Sequence, residues 1–462
     1  MYASEKLPNF RWIAKRVASA SPYVLTEKDY ASKEDVAALS EIGYYAEIAS
    51  NNDIPVSFIF DNIEQLVKPT FPLEGYEQLR GSVWVAEYFG SVSHLHGYVA
   101  YRPQSKQLVV ATSGTTNLTQ ALQDVRTYHH RHKSGEGIVH RGFWALYKGI
   151  RELAWAGIAK GFKEHPEATE LVITGHSMGG AVSNLLALDA FTGKISIPDH
   201  CNLKLVIYGA PRVGDERFVQ YWRRQRDECR KHRQFAEYSV KAYNDGVPSL
   251  PMRTLGFRHF AERPYYLLHG QLYSVPASEC EFALFRADPP PSPDKPVDFP
   301  RGGHNYYNGR DMEQVARRLI WLDKAMGGKT DWVEKYRKYA SRRLVPSIAQ
   351  VKEGLPPSSS RTMQHLQEGL PKDSNEEPRA LSSSTSDSAL AAATSSNPNP
   401  STPLVARALS LPPIEIVSED VSLASSAATS LTMPSMCSTS TASTSVTVPD
   451  APSDTSKPTV VT

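Results

Sequence analysis

The chain has 462 residues, of which 40% are hydrophobic and 10% aromatic, enough for one large catalytic domain or two ordinary ones. Its formal net charge is only +2, and it has no block of Lys and Arg, which argues against a nucleic-acid partner. No stretch reaches the roughly 18 apolar residues of a membrane span. We therefore expect no transmembrane segment and, at most, peripheral contact with a membrane or lipid-droplet surface.

The cysteines and the opening residues bear on location. The four cysteines are scattered and form no C-x-x-C pair, which argues against a zinc site. We expect at most one disulfide, which is typical of a reducing compartment. The run "MYASEKLPNFRWIAKRVASASPYVL" has no apolar region of the length that a secretory signal needs. These patterns predict an intracellular, cytoplasmic protein.

The first third of the chain predicts helices and one hairpin. Residues 32–49, "SKEDVAALSEIGYYAEIA", have helical periodicity. The runs "HGYVAYRP" and "QLVVATSG", separated by a polar turn, predict a β-hairpin. An amphipathic stretch from Arg141 to Lys163 predicts a long helix. We expect residues 1–84 to form a helical or irregular segment that packs on a catalytic domain of residues 85–345.

From residue 170 onward, apolar strands alternate with helices. The buried runs "ELVITG" and "LKLVIYG" and the run "YSVKAYN" are separated by helical segments. Strands that alternate with helices predict an α/β fold whose mostly parallel sheet is flanked by helices. The helix "RDMEQVARRLIWLDKAM" closes this region.

A candidate nucleophile lies at the junction of one strand and one helix. Gly175-His176-Ser177-Met178-Gly179 matches G-x-S-x-G, directly after "ELVIT" and before "GAVSNLLALDAF". A strand–elbow–helix turn exposes a strained serine, and flanking glycines allow the backbone to turn without Cβ clashes. The helix N-terminus adds N–H groups where an oxyanion forms. We interpret Ser177 as a nucleophile rather than a helix-capping serine.

A nucleophilic serine needs a base and an orienting carboxylate, in the chain order Ser, acid, His for this turn. Asp245 follows the strand "YSVKAYN", whereas Asp189, Asp215 and Asp227 lie on helices or at helix caps. An acid at the carboxyl end of a parallel strand faces the ligand-binding edge of the sheet.

Three histidines after Asp245 are candidates for the base, and one of them lies in a loop suited to catalysis. His304 lies in "RGGHNYY", a glycine-flanked loop before the last helix, whereas His259 and His269 lie in strand-like aromatic segments. Loops of this kind carry functional side chains. We therefore predict His304 as the base.

The oxyanion hole is expected to use two backbone N–H groups. One belongs to Met178, the residue after the nucleophile. The other is expected from Thr115, in the loop that follows the strand "LVVA". The nearby Leu118, Ala121 and Leu122 predict an apolar flap beside the site.

A cluster of histidines, "YHHRH", follows this flap. No carboxylate or cysteine nearby completes a tetrahedral set, so we predict no metal site and interpret the segment as a solvated loop. His140, in "VHRGFW", is expected to be a packed or hydrogen-bonded structural residue.

Several motifs together resemble the fungal class 3 lipase family, an α/β-hydrolase group. These are "VVATSGTTNLTQALQDV", "VHRGFW", "VITGHSMGGAVSNLLALD", "VIYGAPRVGDERF", "YNDGVPSLP" and "GGHNYY". The resemblance implies an α/β-hydrolase fold and hydrolysis of acylglycerols or related esters without a cofactor. It also implies a Ser177–His304–Asp245 triad with Thr115 and Met178 in the oxyanion hole.

Three functions stay open at this point. The first is a lipase that cleaves tri-, di- or monoacylglycerols, and the second is a phospholipase A1 or a feruloyl-type aryl esterase with the same chemistry. The third is an inactive hydrolase-fold scaffold with a regulatory tail. The tail, residues 346–462, is rich in Ser, Thr, Pro and Ala and is predicted to be disordered, as a solvated linker or a regulatory segment.

Overall fold

The computed structural model describes residues 9–51, 54–114, 129–288, 302–307, 312–327 and 331–342. All of them belong to one unit of the chain, Met1–Lys372. The predicted tail, 346–462, lies outside the described residues. No helix in the described ranges combines the length and the apolar character needed to span a bilayer.

Helices and strands alternate through most of the described chain. The helices are α1 (Arg11–Val17), α2 (Lys33–Ala49), α3 (Val56–Asp61), α4 (Ile63–Leu66), α5 (Arg141–Glu164), α6 (Met178–Phe191), α7 (Glu216–Cys229), α8 (Met312–Met326) and α9 (Trp332–Ser341). The strands are β1 (Ala20–Leu25), β2 (Val83–Phe89), β3 (His96–Arg102), β4 (Gln107–Thr112), β5 (His129–Arg131), β6 (Ile138–His140), β7 (Glu170–His176), β8 (Asn202–Tyr208), β9 (Gly214–Asp215), β10 (Phe235–Ala242), β11 (Phe257–Arg258), β12 (Tyr265–Leu268), β13 (Gln271–Ser274) and β14 (Leu284–Ala287).

An eight-stranded sheet organises the domain, in the order β13-β12-β10-β8-β7-β4-β3-β2. The pairs from β4 to β12 are parallel, and the pairs at both edges are antiparallel. The expected hairpin is present, since β3 pairs antiparallel with β4. The parallel strands end at one edge, where loops that follow different strands meet.

Alternating side chains of the central strands enter two separate cores. On β4, Leu108 and Val110 pack in the core that contains residues of α5, α6 and α7. Val109 and Ala111 point to the opposite face, into the core that contains residues of α2, α8 and α9. Each fully buried aliphatic side chain contributes about 1.5–3 kcal/mol. Helices therefore cover both faces of a mostly parallel sheet, which is the predicted α/β-hydrolase arrangement.

Polar side chains set where the main helices begin. Ser32 caps α2 by accepting the N–H of Asp35 at 3.0 Å, and Asp215 caps α7 by accepting the N–H of Phe218 at 2.8 Å. Such caps contribute about 1 kcal/mol each. The helices predicted for residues 32–49 and from Arg141 to Lys163 match α2 and α5 within a residue at each end.

Two small sheets complete the described part of the domain. Strands β11-β9-β6-β5 form one, and β1 pairs with β14 in the other. The histidine-rich segment is therefore not the loop that we expected. His130 pairs with Val139 as part of strand β5, because the neighbouring run "IVH" offers a second β-strand.

Candidate active site

Ser177 stands at the elbow between β7 and α6, as predicted. Its backbone has φ 60° and ψ −126°, a conformation that side-chain-bearing residues rarely adopt and that costs on the order of 1–3 kcal/mol. The neighbouring sheet strand holds it, because the N–H of Ser177 donates to the carbonyl of Tyr208 at 2.8 Å. The turn therefore presents the serine in a strained position that the sheet enforces.

Close approach of β4 to the elbow explains the second motif glycine. A Cβ on Gly179 would lie 2.1 Å from the carbonyl oxygen of Thr112 and 2.5 Å from that of Ser113. No side chain fits there unless the strand moves. The segment after β4 also passes close to the nucleophile. A Cβ on Gly114 would lie 3.3 Å from Cβ of Ser177.

Asp245 and His304 are in direct contact at the carboxyl edge of the sheet. Nδ1 of His304 lies 2.9 Å from Oδ2 of Asp245, and both side chains are buried, with residue exposures of 3% and 0%. Oδ1 of Asp245 accepts the N–H of Val247 at 2.9 Å. The carboxylate therefore fixes the His304 ring through Nδ1 and leaves Nε2 facing away from it.

The loop of His304 is attached to the loop of Asp245 by its backbone. The N–H of Gly303 donates to the carbonyl of Tyr243, which lies just after β10, at 2.8 Å. Because β10 leads to Asp245 and Gly303 precedes His304, this bond fixes the acid and the base relative to each other. Among the described residues, Nε2 of His304 is buried without a hydrogen-bond partner.

His176, the residue before the nucleophile, connects the elbow to the base. Its Nε2 lies 2.9 Å from the carbonyl of His304, and the two rings are 4.4 Å apart. Burial, and the positive charge that His304 can carry, lower the pKa of His176 well below 6.5. The ring is therefore neutral and donates its Nε2 proton to the carbonyl.

The predicted oxyanion donors are described only in part. Met178 is the first residue of α6, so its N–H has no acceptor within that helix. Thr115 lies outside the described residues, as do Leu118, Ala121 and Leu122 of the expected flap.

The other two histidine candidates have structural contacts. His259 is buried, and its Nε2 donates to the carbonyl of Pro248 at 2.9 Å, which supports the turn after Asp245. His269 lies in the turn between β12 and β13, against the ring of Tyr243.

The remaining acids considered from the sequence also have structural roles. Asp189 bonds to Tyr147 and Lys194, and Asp215 caps α7. Asp227 pairs with Arg226 of the same helix and with Arg230, which directly follows the helix.

The described side chains of the histidine cluster make ring contacts and hydrogen bonds with neighbouring residues. The ring of His132 contacts the rings of Trp144 and Phe218, and its Nδ1 lies 2.7 Å from Oγ of Ser134. His140 accepts the N–H of Phe143 and so caps α5, as expected for a structural residue. Within the described ranges, no group of three His, Cys, Asp or Glu side chains could hold a metal, and the three cysteines there are unpaired.

Tyr307 is a site residue that the sequence reasoning did not identify. Its hydroxyl lies 2.5 Å from Oδ2 of Asp245. Burial, followed by the charge of Asp245, raises the pKa of Tyr307 well above 10, so the phenol remains a donor. The available signal in the sequence was the pair of tyrosines that begins two positions after the histidine in "GGHNYY".

Comparison with known proteins gives a family model and fungal relatives. The model for class 3 lipases matches residues 109–255. A secreted mono- and diacylglycerol lipase of Fusarium solani is 28% identical over 193 residues, which are 41% of this chain and 52% of that protein. A secreted mono- and diacylglycerol lipase of Penicillium cyclopium is 28% identical over 170 residues, or 37% and 51%. The chain thus spans about half the length of the curated relatives it matches.

A solved structure of Rhizomucor miehei triacylglyceride lipase aligns with a TM-score of 0.45 and 21% identity, over 62% of this chain and 98% of that chain. The fold is assigned from the strand order and connections of the sheet and not from this alignment.

The expectation of an intracellular, cytoplasmic protein is contradicted by these relatives, two of which are named as secreted lipases. That expectation drew on the opening residues and on the scattered cysteines. Neither pattern determines where a folded domain of this kind is delivered.

The matched region contains the elbow with Ser177 and the loop with Asp245, on the sheet described above. Residues 109–255 are thus the part of the chain that is similar to class 3 lipases.

Proposed function

We propose that the protein is a serine ester hydrolase in which Ser177 is the nucleophile, His304 the base and Asp245 the orienting acid. The contact between Asp245 and His304 carries the proposal. It holds the His304 ring through Nδ1 at 2.9 Å and leaves Nε2, buried and without a partner among the described residues, as the proton acceptor. This is the arrangement that activates a serine hydroxyl.

In the acylation step, Oγ of Ser177 attacks the carbonyl carbon of the ester while Nε2 of His304 takes the hydroxyl proton. The tetrahedral oxyanion accepts hydrogen bonds from the N–H groups of Met178 and Thr115, each worth about 3 kcal/mol. The C–O bond to the alcohol then breaks. The alcohol leaves with the proton that His304 returns, and the acyl group stays on Oγ.

In the deacylation step, His304 takes a proton from water, and the resulting hydroxide attacks the acyl carbon. The bond to Oγ breaks, the carboxylic acid is released, and Ser177 regains its proton from His304. Asp245 stabilises the imidazolium that forms in both steps and does not itself take the proton.

Two further residues support the base. The neutral ring of His176 holds the His304 carbonyl, and the hydroxyl of Tyr307 holds the carboxylate of Asp245. Each contact removes a rotation that would separate Nε2 of His304 from the serine.

Acylglycerols are the proposed substrates, with partial glycerides foremost. The support is the match of residues 109–255 to the class 3 lipase model and the similarity to two relatives named as mono- and diacylglycerol lipases. Such substrates are presented at lipid surfaces, so we propose peripheral contact with a membrane or droplet. A phospholipase A1 or an aryl esterase would use the same residues with a different cleft lining.

The experiment is a substrate panel with the wild type and Ser177→Ala. The panel comprises mono-, di- and trioleoylglycerol, a phosphatidylcholine, methyl ferulate and p-nitrophenyl esters of increasing chain length. We expect hydrolysis of long-chain glycerol esters and a loss of at least about 1,000-fold in Ser177→Ala.

The panel also decides between the candidate functions. Preferred release of fatty acid from the phospholipid, or preferred cleavage of methyl ferulate, would replace the lipase assignment. No hydrolysis of any ester by the folded wild type would overturn the proposal and favour the inactive scaffold. Equal rates for wild type and Ser177→Ala would exclude Ser177 as the nucleophile.

A further inference from the structure

The segment that begins at Asn9 lies against the loop of the candidate base. Asn9 is fully buried, with 0% exposure. Its carbonyl accepts the N–H of His304 at 3.0 Å, and its side-chain Oδ1 accepts the N–H of Asn305 at 3.2 Å. One asparagine thus binds two successive amides of the loop, including that of His304 itself.

The next residue contacts the His304 ring. The ring of Phe10 lies 5.3 Å from that of His304 at an interplanar angle of 84°, an edge-to-face contact. Phe10 is buried and has φ 49°, in the left-handed region that bulky residues rarely enter. Strain of this kind persists where the surroundings enforce it, and it is concentrated at functional sites.

The same segment also packs on the loop of the candidate acid. Gly246 directly follows Asp245. A Cβ on Gly246 would lie 2.5 Å from Cβ of Ile13 and 2.6 Å from the carbonyl oxygen of Phe10. Residues 9–13 therefore touch both loops, although Asp245 and His304 are 59 positions apart in the sequence.

We propose that Asn9 and Phe10 are positioning residues for His304, and that residues 9–13 act as a clamp on the acid and base loops. This inference rests on the proposed function. The clamp lies about a hundred residues before the matched region 109–255, so the family motifs alone do not include it. The bonds from Asn9 fix the backbone of His304, and the ring of Phe10 limits its side-chain rotation.

The clamp matters because proton transfer depends on the placement of Nε2. A displacement of about 1 Å at a reacting group can lower the rate about 100-fold. Loss of Oδ1 of Asn9 frees the Asn305 amide and lets the loop shift. Substrate binding, which depends on the cleft, changes little.

The test measures kcat and KM for p-nitrophenyl butyrate in wild type, Asn9→Ala, Asn9→Asp and Phe10→Leu. Each kcat is divided by the number of sites that a fluorophosphonate labels at completion. We expect Asn9→Ala to lower kcat per labelled site about 10- to 100-fold, with KM within about twofold. Asn9→Asp keeps an acceptor oxygen but adds a buried negative charge, so its kcat per labelled site is expected to lie between those of Asn9→Ala and the wild type.

The control is Asn62→Ala. Asn62 also bonds a backbone group, donating from Nδ2 to the carbonyl of Phe58 at 2.9 Å, but it lies between α3 and α4. It is expected to lower the melting temperature without changing kcat per labelled site. If Asn9→Ala yields no folded protein, Phe10→Leu gives the same reading, with a loss of about 10-fold in kcat.

The outcomes separate the clamp from the proposed function. A wild type that neither labels nor hydrolyses ester would remove the proposed function. An active wild type with Asn9→Ala and Phe10→Leu at unchanged kcat per labelled site would overturn the clamp alone.

Discussion

Tyr307 donates its hydroxyl to the same oxygen of Asp245, Oδ2, that lies 2.9 Å from Nδ1 of His304. The other oxygen, Oδ1, accepts the N–H of Val247. Among the described residues, three donors therefore contact the buried carboxylate, and one of them is the candidate base. The phenol stays protonated as one of these donors, because burial and the charge of Asp245 raise the pKa of Tyr307 well above 10.

Removing that phenol is expected to move the pH dependence of activity. In Tyr307→Phe, Oδ2 has one donor fewer, so more of the negative charge acts on His304 and favours its protonated form. The acid limb of the kcat/KM profile is expected to move to higher pH. The unfolding free energy is expected to fall by about 1.5–3 kcal/mol, as for a hydrogen bond to a charged group.

Tyr98→Phe is the matched control, because Tyr98 is also fully buried and donates to a carbonyl, that of Tyr45, at 2.8 Å. It is expected to lose stability without a change in the pH profile. An unmoved acid limb in Tyr307→Phe would show that the phenol does not tune the base.

Gly209 lies where Asp245 and Tyr307 meet, and a methyl group there is expected to separate them. A Cβ would lie 2.8 Å from the Tyr307 hydroxyl and 2.9 Å from Oδ2 of Asp245, on a backbone with φ +57°. Gly209→Ala is expected to lower kcat by about 100-fold or more, because the acid moves away from the base.

Gly193→Ala is the control for Gly209→Ala, because it introduces similar backbone strain without crowding any neighbouring atom. Gly193 has φ +69°, and a Cβ on it meets nothing within 4 Å. It is expected to lose about 1 kcal/mol in urea unfolding, with kcat unchanged. Equal kcat in the two variants would contradict the proposed crowding at Asp245.

His140 is expected to make the fold sensitive to acid. Burial, followed by the nearby charge of His129, lowers the pKa of His140 from 6.5 to about 4. Between these pH values the unfolded chain binds a proton that the folded protein does not. The contribution of His140 is therefore complete above about pH 6.5 and is lost as the pH falls towards 4.

His140→Asn removes this titration and keeps an N-cap acceptor for the N–H of Phe143. The free energy of unfolding is measured with urea at pH 7.5 and pH 4.5. Its fall between these pH values is expected to be smaller in the variant than in the wild type, by up to about 3 kcal/mol. An equal fall in the free energy of unfolding in the two proteins would show that His140 is not the source of the acid sensitivity.

Local pattern made the elbow and the loops of the candidate acid and base predictable. Ser177 is recognisable because its strand, turn and helix are contiguous, and Asp245 because it directly follows a strand. His304 stands out by its flanking glycines. Each of these signals lies within about ten residues of the side chain concerned.

Contacts between distant segments were not predictable in the same way. Asn9 meets His304 from 295 positions away, and no local period indicates that meeting. No sequence pattern distinguishes Tyr307 from other tyrosines, and its role is indicated only by the contact between its hydroxyl and Asp245. Strand β5 forms because β6 lies next to it, so its conformation depends on a partner rather than on its own residues.

The most direct test of the account is to label the folded protein with a fluorophosphonate and to map the modified peptide by mass spectrometry. We predict one adduct, on Ser177, that is lost in Ser177→Ala and kept in Ser183→Ala, whose buried hydroxyl donates to the carbonyl of Thr174. A folded wild type that does not label, or an adduct on another serine, would contradict the assignment of Ser177 as the activated nucleophile.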